Sequence, residues 1–123
     1  MLKPLMITAA LALTIGAPAQ TAAQDAARPR VLVVVSGNGA DNGKTRPGFE
    51  MDELTQAWAV FADNGLAVDI ASPKGGAVVA DGFDPAKPYN KRFLADASAS
   101  AALAATRALA EVKAARYDAV FLV

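Results

Sequence analysis

In Arg30-Val31-Leu32-Val33-Val34-Val35 an arginine is followed by a continuous, mostly β-branched run. A half-buried strand alternates apolar and polar residues. This run does not, so both of its faces call for burial, the mark of an inner strand in a parallel sheet. The requirement propagates through the chain. Parallel neighbours cannot be joined by tight hairpins, so each must arrive by a crossover, usually a helix.

The residues that follow meet that demand. Ser36 to Gly48 holds Gly37, Gly39, Gly43, Pro47 and Gly48, the composition of a loop. From about Glu50 to Asn64, Leu54, Trp58, Phe61 and Ala62 recur at three and four residues, one face of a helix. Glu50, Asp52 and Glu53 occupy its first turn, where the helix dipole favours negative charge, and Asn64-Gly65 ends it. Such a helix is about 22 Å long and a six-residue strand about 20 Å, so the two match as a βαβ unit needs. Leu66 to Ala71 reads as a second strand and Ser72-Pro73-Lys74-Gly75-Gly76 as a turn. Ala77 to Ala80 offers a short extra strand, and Asp81 to Asn90 an irregular loop with Pro85 and Pro88. The Ala-rich stretch from about Leu94 to Ala115 reads as a helix with Ala101, Ala105, Leu109 and Val112 buried, capped by Ser98 or Ser100. Tyr117 to Val123 is a third apolar strand. The expected fold is α/β: an open parallel sheet of flavodoxin-like winding, with helices on both faces in three layers, broken off after its third main strand. Residues 30–123 then form the N-terminal part of a longer domain, the alternative being a three-stranded mini-domain completed by a partner chain.

Residues 1–19 read as a secretory signal: Lys3, an apolar stretch from Leu5 to Ile15 too short to span a bilayer comfortably, then Ala17-Pro18-Ala19, or Thr21-Ala22-Ala23, as the cleavage site. A membrane anchor or a buried helix is the other reading of this segment. Residues 20–29 read as a flexible leader. The expected location is therefore periplasmic or secreted, with no membrane attachment after cleavage. Twelve Lys and Arg balance twelve Asp and Glu, which argues against electrostatic capture of nucleic acid. There is no Cys and no His, so this chain alone builds no disulfide, no thiolate or imidazole metal site and no Cys-His or Ser-His machinery.

Two loops suggest chemistry and fall short of it. Gly37-x-Gly39 follows a strand as a dinucleotide loop would, but Asn42 stands in the place of its third glycine. Gly43-Lys44-Thr45 resembles the end of a Walker loop, but Asn38 stands where that motif needs its first glycine. Trp58 and Phe61 read as core aromatics, and Lys74 with Gly75-Gly76 as a structural turn. Glu53 is the candidate site residue. It lies near a helix N-terminus at the carboxyl end of the first strand, where a carboxylate can face the ligand crevice or simply sit in solvent and favour the dipole.

The run Gly43-Lys44-Thr45-Arg46-Pro47-Gly48-Phe49-Glu50-Met51-Asp52-Glu53-Leu54 resembles the opening of DJ-1/PfpI superfamily members, which have the class I glutamine-amidotransferase-like fold. The likeness is to the branch of heat-shock chaperones and glyoxalase III enzymes. It continues through Phe61 to Gly65 and Val68 to Gly76 and closes at Tyr117 to Val123, covering residues 30–123. The resemblance implies a nucleophilic Cys on a strand-to-helix elbow beyond Val123, and a Glu on the first helix that hydrogen-bonds it. Counted back from Asn64-Gly65, Glu53 falls at that Glu's place. A carboxyl beside a thiol tunes the thiolate and shuttles protons. The implied activity is cysteine-dependent, glyoxalase III (D-lactate dehydratase) or hydrolase chemistry on small reactive carbonyls, with no metal or nucleotide cofactor and with homodimers common. Lacking the Cys, the 123 residues alone are expected to be inactive. The rival readings are a non-enzymatic chaperone of the same fold and a nucleotide-binding flavodoxin-like module.

Overall fold

The computed structural model describes residues 28–123. The signal reading of residues 1–19 lies outside them, as does most of the leader. Among the described residues no helix is long and apolar enough to cross a membrane.

The chain forms β1 (Arg30–Val34), β2 (Phe49–Glu50), α1 (Met51–Asp63), β3 (Ala67–Ser72), β4 (Ala80–Asp81), α2 (Pro88–Ala95), α3 (Ala97–Ala104), β5 (Arg107–Ala108) and β6 (Ala119–Leu122). Four strands make a parallel sheet in the order β5-β3-β1-β6, with β1 inside as its composition requires. The three longer strands thus lie second-first-third, the winding of flavodoxin-like folds. Val33 sits opposite Ile70 on one side and Phe121 on the other. β2 and β4 pair in parallel as a separate two-stranded ribbon.

Handedness distributes the connections. The steps from β1 to β3 and from β3 to β5 move one way across the sheet, and the step from β5 to β6 returns. Right-handed crossovers therefore place α1, α2 and α3 on one face and residues 109–116 on the other. Burial agrees. Val31, Val33, Val35 and Ile70 form one core with Leu54, Trp58, Ala59, Phe93 and Ala99 of the helices. Trp58 meets Phe93 edge to face, with ring centroids 5.1 Å apart. On the other face Leu32 and Ala71 are buried, but Val120 is 60% and Leu122 73% exposed. The second helical layer of a three-layer fold is not among the described residues.

The Ala-rich stretch departs most from expectation. It is not one helix from Leu94 to Ala115. α2 begins earlier, with Pro88 in its first turn, inside the segment read as a loop, and ends at Ala95. Asp96 then takes an extended conformation and caps α3, accepting from the backbone N–H groups of Ser98 and Ala99 at 3.0 and 2.9 Å. The cap is Asp96, not Ser98 or Ser100. After Ala104 the chain turns into β5 and two 3-10 turns at Leu109–Glu111 and Ala114–Arg116. The expected stripe is not buried: Ala101, Ala105 and Leu109 are exposed and Val112 is half-buried, while Phe93 and Ala99 fill the core. The extra strand forms at Ala80–Asp81, displaced toward the C-terminus from Ala77 to Ala80. The end of the leader is docked: Pro29 accepts from the Ala67 N–H at 2.8 Å, and Arg28 Nε donates to the Gly65 carbonyl at 3.0 Å.

One buried polar side chain ties α1 to α2. Asn90 is fully buried; its Oδ1 accepts from the Thr55 hydroxyl at 2.6 Å, and its Nδ2 donates to Asp52 Oδ1 and the Asp84 carbonyl at 2.8 Å each. Replacing it with an apolar residue strips the buried Thr55 hydroxyl of its 2.6 Å partner and Asp52 of one donor. Asn90→Leu is expected to lower unfolding stability by about 1–3 kcal/mol, and Phe93→Ala by about 3–5 kcal/mol. The exposed Lys91→Ala should stay within about 0.5 kcal/mol. Denaturant midpoints at constant slope read all three.

Candidate functional site

In a βαβ unit the crossover helix runs antiparallel to its strands, so the first turn of α1 stands outside their carboxyl ends, where open α/β folds bind ligands. That turn is acidic, with Asp52 and Glu53, and the two carboxylates differ in use. Asp52 ion-pairs with Lys87 and accepts from Asn90. The Lys87 hydrogen bond, and after it that of Asn90, holds Asp52 below the usual carboxylate range. Glu53 is exposed and makes no hydrogen bond or ion pair among the described residues.

The position of Glu53 follows from the row it heads. Glu53, Ala57 and Phe61 succeed one another at i, i+4 spacing, and the Phe61 ring lies 5.7 Å from that of Phe121 on β6. Eight helical residues rise about 12 Å, whereas Phe121 to Val123 advances only about 7 Å. Glu53 therefore stands past the end of β6, on the side of α1 that flanks the open edge of the sheet. Trp58 is buried in the core, where the sequence places it, while Phe61 is half-buried.

The loop between β1 and β2 is ordered rather than a loose connection. Arg46 Nε donates to the Asn38 carbonyl at 3.1 Å, and Asn38 Nδ2 to the Pro47 carbonyl at 3.2 Å. The Gly48 N–H donates to Asp81 Oδ1 at 2.7 Å. Gly48 passes so close to the β4 approach that a Cβ there would lie 2.1 Å from the Val79 carbonyl oxygen. Of the glycines that suggested a phosphate loop, Gly39 serves this close passage, since a Cβ there would lie 2.2 Å from the same carbonyl oxygen.

Ser72-Pro73-Lys74-Gly75-Gly76 is a turn, as read, and its anchor is Thr106. The buried Ser72 hydroxyl lies 2.7 Å from that of Thr106 and accepts from the Gly75 N–H at 3.1 Å. The Thr106 hydroxyl is also 2.8 Å from the Gly76 carbonyl, within donating reach. Gly75 takes a φ of 73°, in the left-handed region where glycine alone is unstrained. Asn90 and Thr106 carry no signal in the sequence, because their hydroxyl partners Thr55 and Ser72 lie 35 and 34 residues away.

Across the sheet, Asp69 gathers Arg30 Nη1 at 3.2 Å and the Tyr117 hydroxyl at 2.8 Å. Burial, then the hydrogen bond to Asp69, pushes the Tyr117 phenol above its ordinary value. On the helical face Arg92 pairs with Asp63 through both nitrogens and covers the Trp58 ring at 5.5 Å. Among the described residues no group of three or more His, Cys, Asp or Glu is placed to hold a metal ion.

No family model and no curated protein matches this chain. Among solved structures it is similar to the Rapid Encystment Protein 24 kDa (REP24) of Francisella tularensis, with 27% sequence identity and a TM-score of 0.65. The match covers 77% of this chain and 44% of that one, so the chain spans less than half the length of that protein.

The carboxylates give the fold a pH dependence whose sign is fixed. Asp52, Asp63 and Asp96 are all held below the ordinary carboxylate value, by Lys87, Arg92 and the α3 backbone respectively. The stability they add is present above about pH 4 and is lost as pH falls through their lowered values. Tyr117 is shifted upward, so its contribution is complete below about pH 10 and is lost as pH rises through its raised value. Melting temperature against pH should be flat between these limits and fall beyond both. Asp96→Ala should remove about 1 kcal/mol at neutral pH as a lost helix cap and flatten the acid limb.

Proposed function

We propose that this chain supplies the first part of a DJ-1/PfpI-like domain in which Glu53 is the carboxylate that sets the ionisation of a cysteine nucleophile. The cysteine lies outside these 123 residues, which hold none. The substrates are small reactive carbonyls, and the preferred reaction is the glyoxalase III type, which adds one water to methylglyoxal and gives lactate. Hydrolase chemistry at the same thiol is the neighbouring possibility.

One observation carries this reading: Glu53 is an uncommitted carboxylate beyond the end of β6, while Asp52 beside it is fully engaged in packing α1 to α2. A thiol carried on a turn after the next strand would arrive beside Glu53. A neighbouring carboxylate that accepts the thiol proton and returns it to the product is ordinary acid-base catalysis. The exposed apolar strand β6 and the 44% span of the Francisella protein support a domain completed by further residues.

A non-enzymatic binding role draws on a different observation. Val120 and Leu122 point to one face of β6 and are 60% and 73% exposed, an apolar surface of the kind that holds unfolded chains. Export to the periplasm or outside the cell belongs to the same proposal and rests on residues 1–19.

The coding sequence downstream of Val123 separates the readings. A Gly-rich turn followed by a Cys favours the enzyme; Ser or Gly at that place favours binding, and a stop codon directly after Val123 overturns the shared-domain reading. In the protein expressed with that Cys, Glu53→Gln should lower methylglyoxal turnover by about 100-fold or more and shift the pH profile of the remaining rate. Unchanged turnover removes Glu53 from the mechanism.

A further inference from the structure

The carboxyl ends of β1 and β3 enclose an open cleft of about 250 Å³ that the Glu53 reading does not use. Its walls include Ser36, Gly37, Asn38, Pro73, Lys74 and Ala77. We propose that this cleft binds a small molecule through one anionic group, a carboxylate or a phosphate, held by Lys74.

Three observations converge. The first is charge: among the described residues Lys74 is the only charged one lining the cleft, and no carboxylate joins it there. The second is availability. Lys74 is exposed and makes no hydrogen bond or ion pair among the described residues, in contrast to Lys87, which is committed to Asp52. An ammonium left free beside a recess is a point charge with room for a counterion. The third is the supply of donors. The backbone N–H groups of Gly37, Lys74 and Ala77 have no partner in the described chain, while those of Asn38, Gly75 and Gly76 are taken by Ser36 Oγ, Ser72 and Thr106.

The walls are also fixed. Ser72 and Thr106 pin the Ser72–Gly76 turn from below, and Gly75 and Gly76 hold φ values of 73° and 80° that side chains disfavour. Gly37 faces the Ser72–Pro73 turn across the recess, where a Cβ would stand at an ordinary contact distance of 3.6 Å from Pro73 Cδ. A recess whose lining residues hold unpaired donors, outside the carboxyl ends of parallel strands, is where small ligands bind in open α/β folds. At this volume the ligand is of the size of a three- or four-carbon acid or a free phosphate, not a dinucleotide. The inference does not depend on the cysteine reading, because it needs nothing beyond the residues present.

Amide NMR on the whole chain tests it, with sodium pyruvate and inorganic phosphate as separate probes and glycerol as an uncharged control. Saturable shifts at Gly37, Lys74 and Ala77 with pyruvate or phosphate support the site, and the arm that saturates identifies the group. Lys74→Ala should weaken that binding by about tenfold, the loss of one charge-assisted hydrogen bond. Lys74→Arg should largely restore it, and added salt should weaken it. Lys113→Ala, an exposed lysine elsewhere, should leave it unchanged. Non-saturable shifts, equal loss in the Lys74 and Lys113 variants, or the same response to glycerol would overturn the proposal. Methylglyoxal turnover enters none of these readouts.

Discussion

Every strand of the main sheet takes its place from β1. β3 pairs with one edge of β1 and β6 with the other, and β5 joins through β3. The ladder runs past the strand ends, with the Val35 N–H donating to the Ala71 carbonyl at 2.9 Å and the Val123 N–H to the Val34 carbonyl at 3.0 Å. A strand paired on both edges in parallel admits no hairpin, so each neighbour comes by a crossover. From that follow the antiparallel run of α1, the exposure of its first turn above the sheet, and the location of Glu53.

What could be read in the sequence was what depends on neighbours along the chain. The unalternating run Val31 to Val35, the period of Leu54 and Trp58, and the Ser72–Gly76 turn each carry their own local pattern. The stretch from Leu94 to Ala115 does not. Alanine favours helix at every position and offers no contrast between faces, so the pattern could not show where one helix stops and another begins. The break comes from Asp96, which leaves the helical conformation to cap α3, and from Thr106, drawn toward the Ser72 turn just before β5. Asn90 was invisible for the same reason: an Asn so close to a Pro reads as loop, and only its partners Thr55 and Asp52, brought by the fold, make it the joint between α1 and α2. At the candidate site the place of Glu53 in the first turn of α1 was legible from the helical period that begins at Leu54, whereas the freedom of Lys74 was not, because Lys and Gly at a turn have an ordinary structural explanation.

The glycines of the loop from Ser36 to Gly48 illustrate how similar composition serves different physics. In a phosphate loop they let backbone approach a ligand. Here Gly39 and Gly48 let backbone approach backbone, both against the Val79 carbonyl. The approach to β4 is thereby held beside the loop, with Asp81 closing it through the Gly48 N–H. The recess at Ser36 and Gly37 joins this packed segment through Asn38, which is bonded to Ser36 Oγ and the Pro47 carbonyl, so a loop that fails the nucleotide motifs still forms one wall of it.

The sheet is graded from one edge to the other. On the face away from the helices, β3 presents Asp69, whose charge is met by Arg30 and Tyr117, and β5 presents Arg107. Water can reach that end at little penalty. β6 presents Val120 and Leu122 there, with no polar group between them, although Tyr117 and Asp118 just before the strand are polar and paired. Apolar residues on both faces are the composition of an inner parallel strand, yet β6 lies at an edge of the sheet. Any layer that relieves this mismatch must dock on the β6 side rather than the β5 side. Glu53, Ala57 and Phe61 run along that same edge but on the helical face, where Phe61 meets Phe121, so the free carboxylate and the exposed Val120 and Leu122 flank β6 from opposite faces of the sheet.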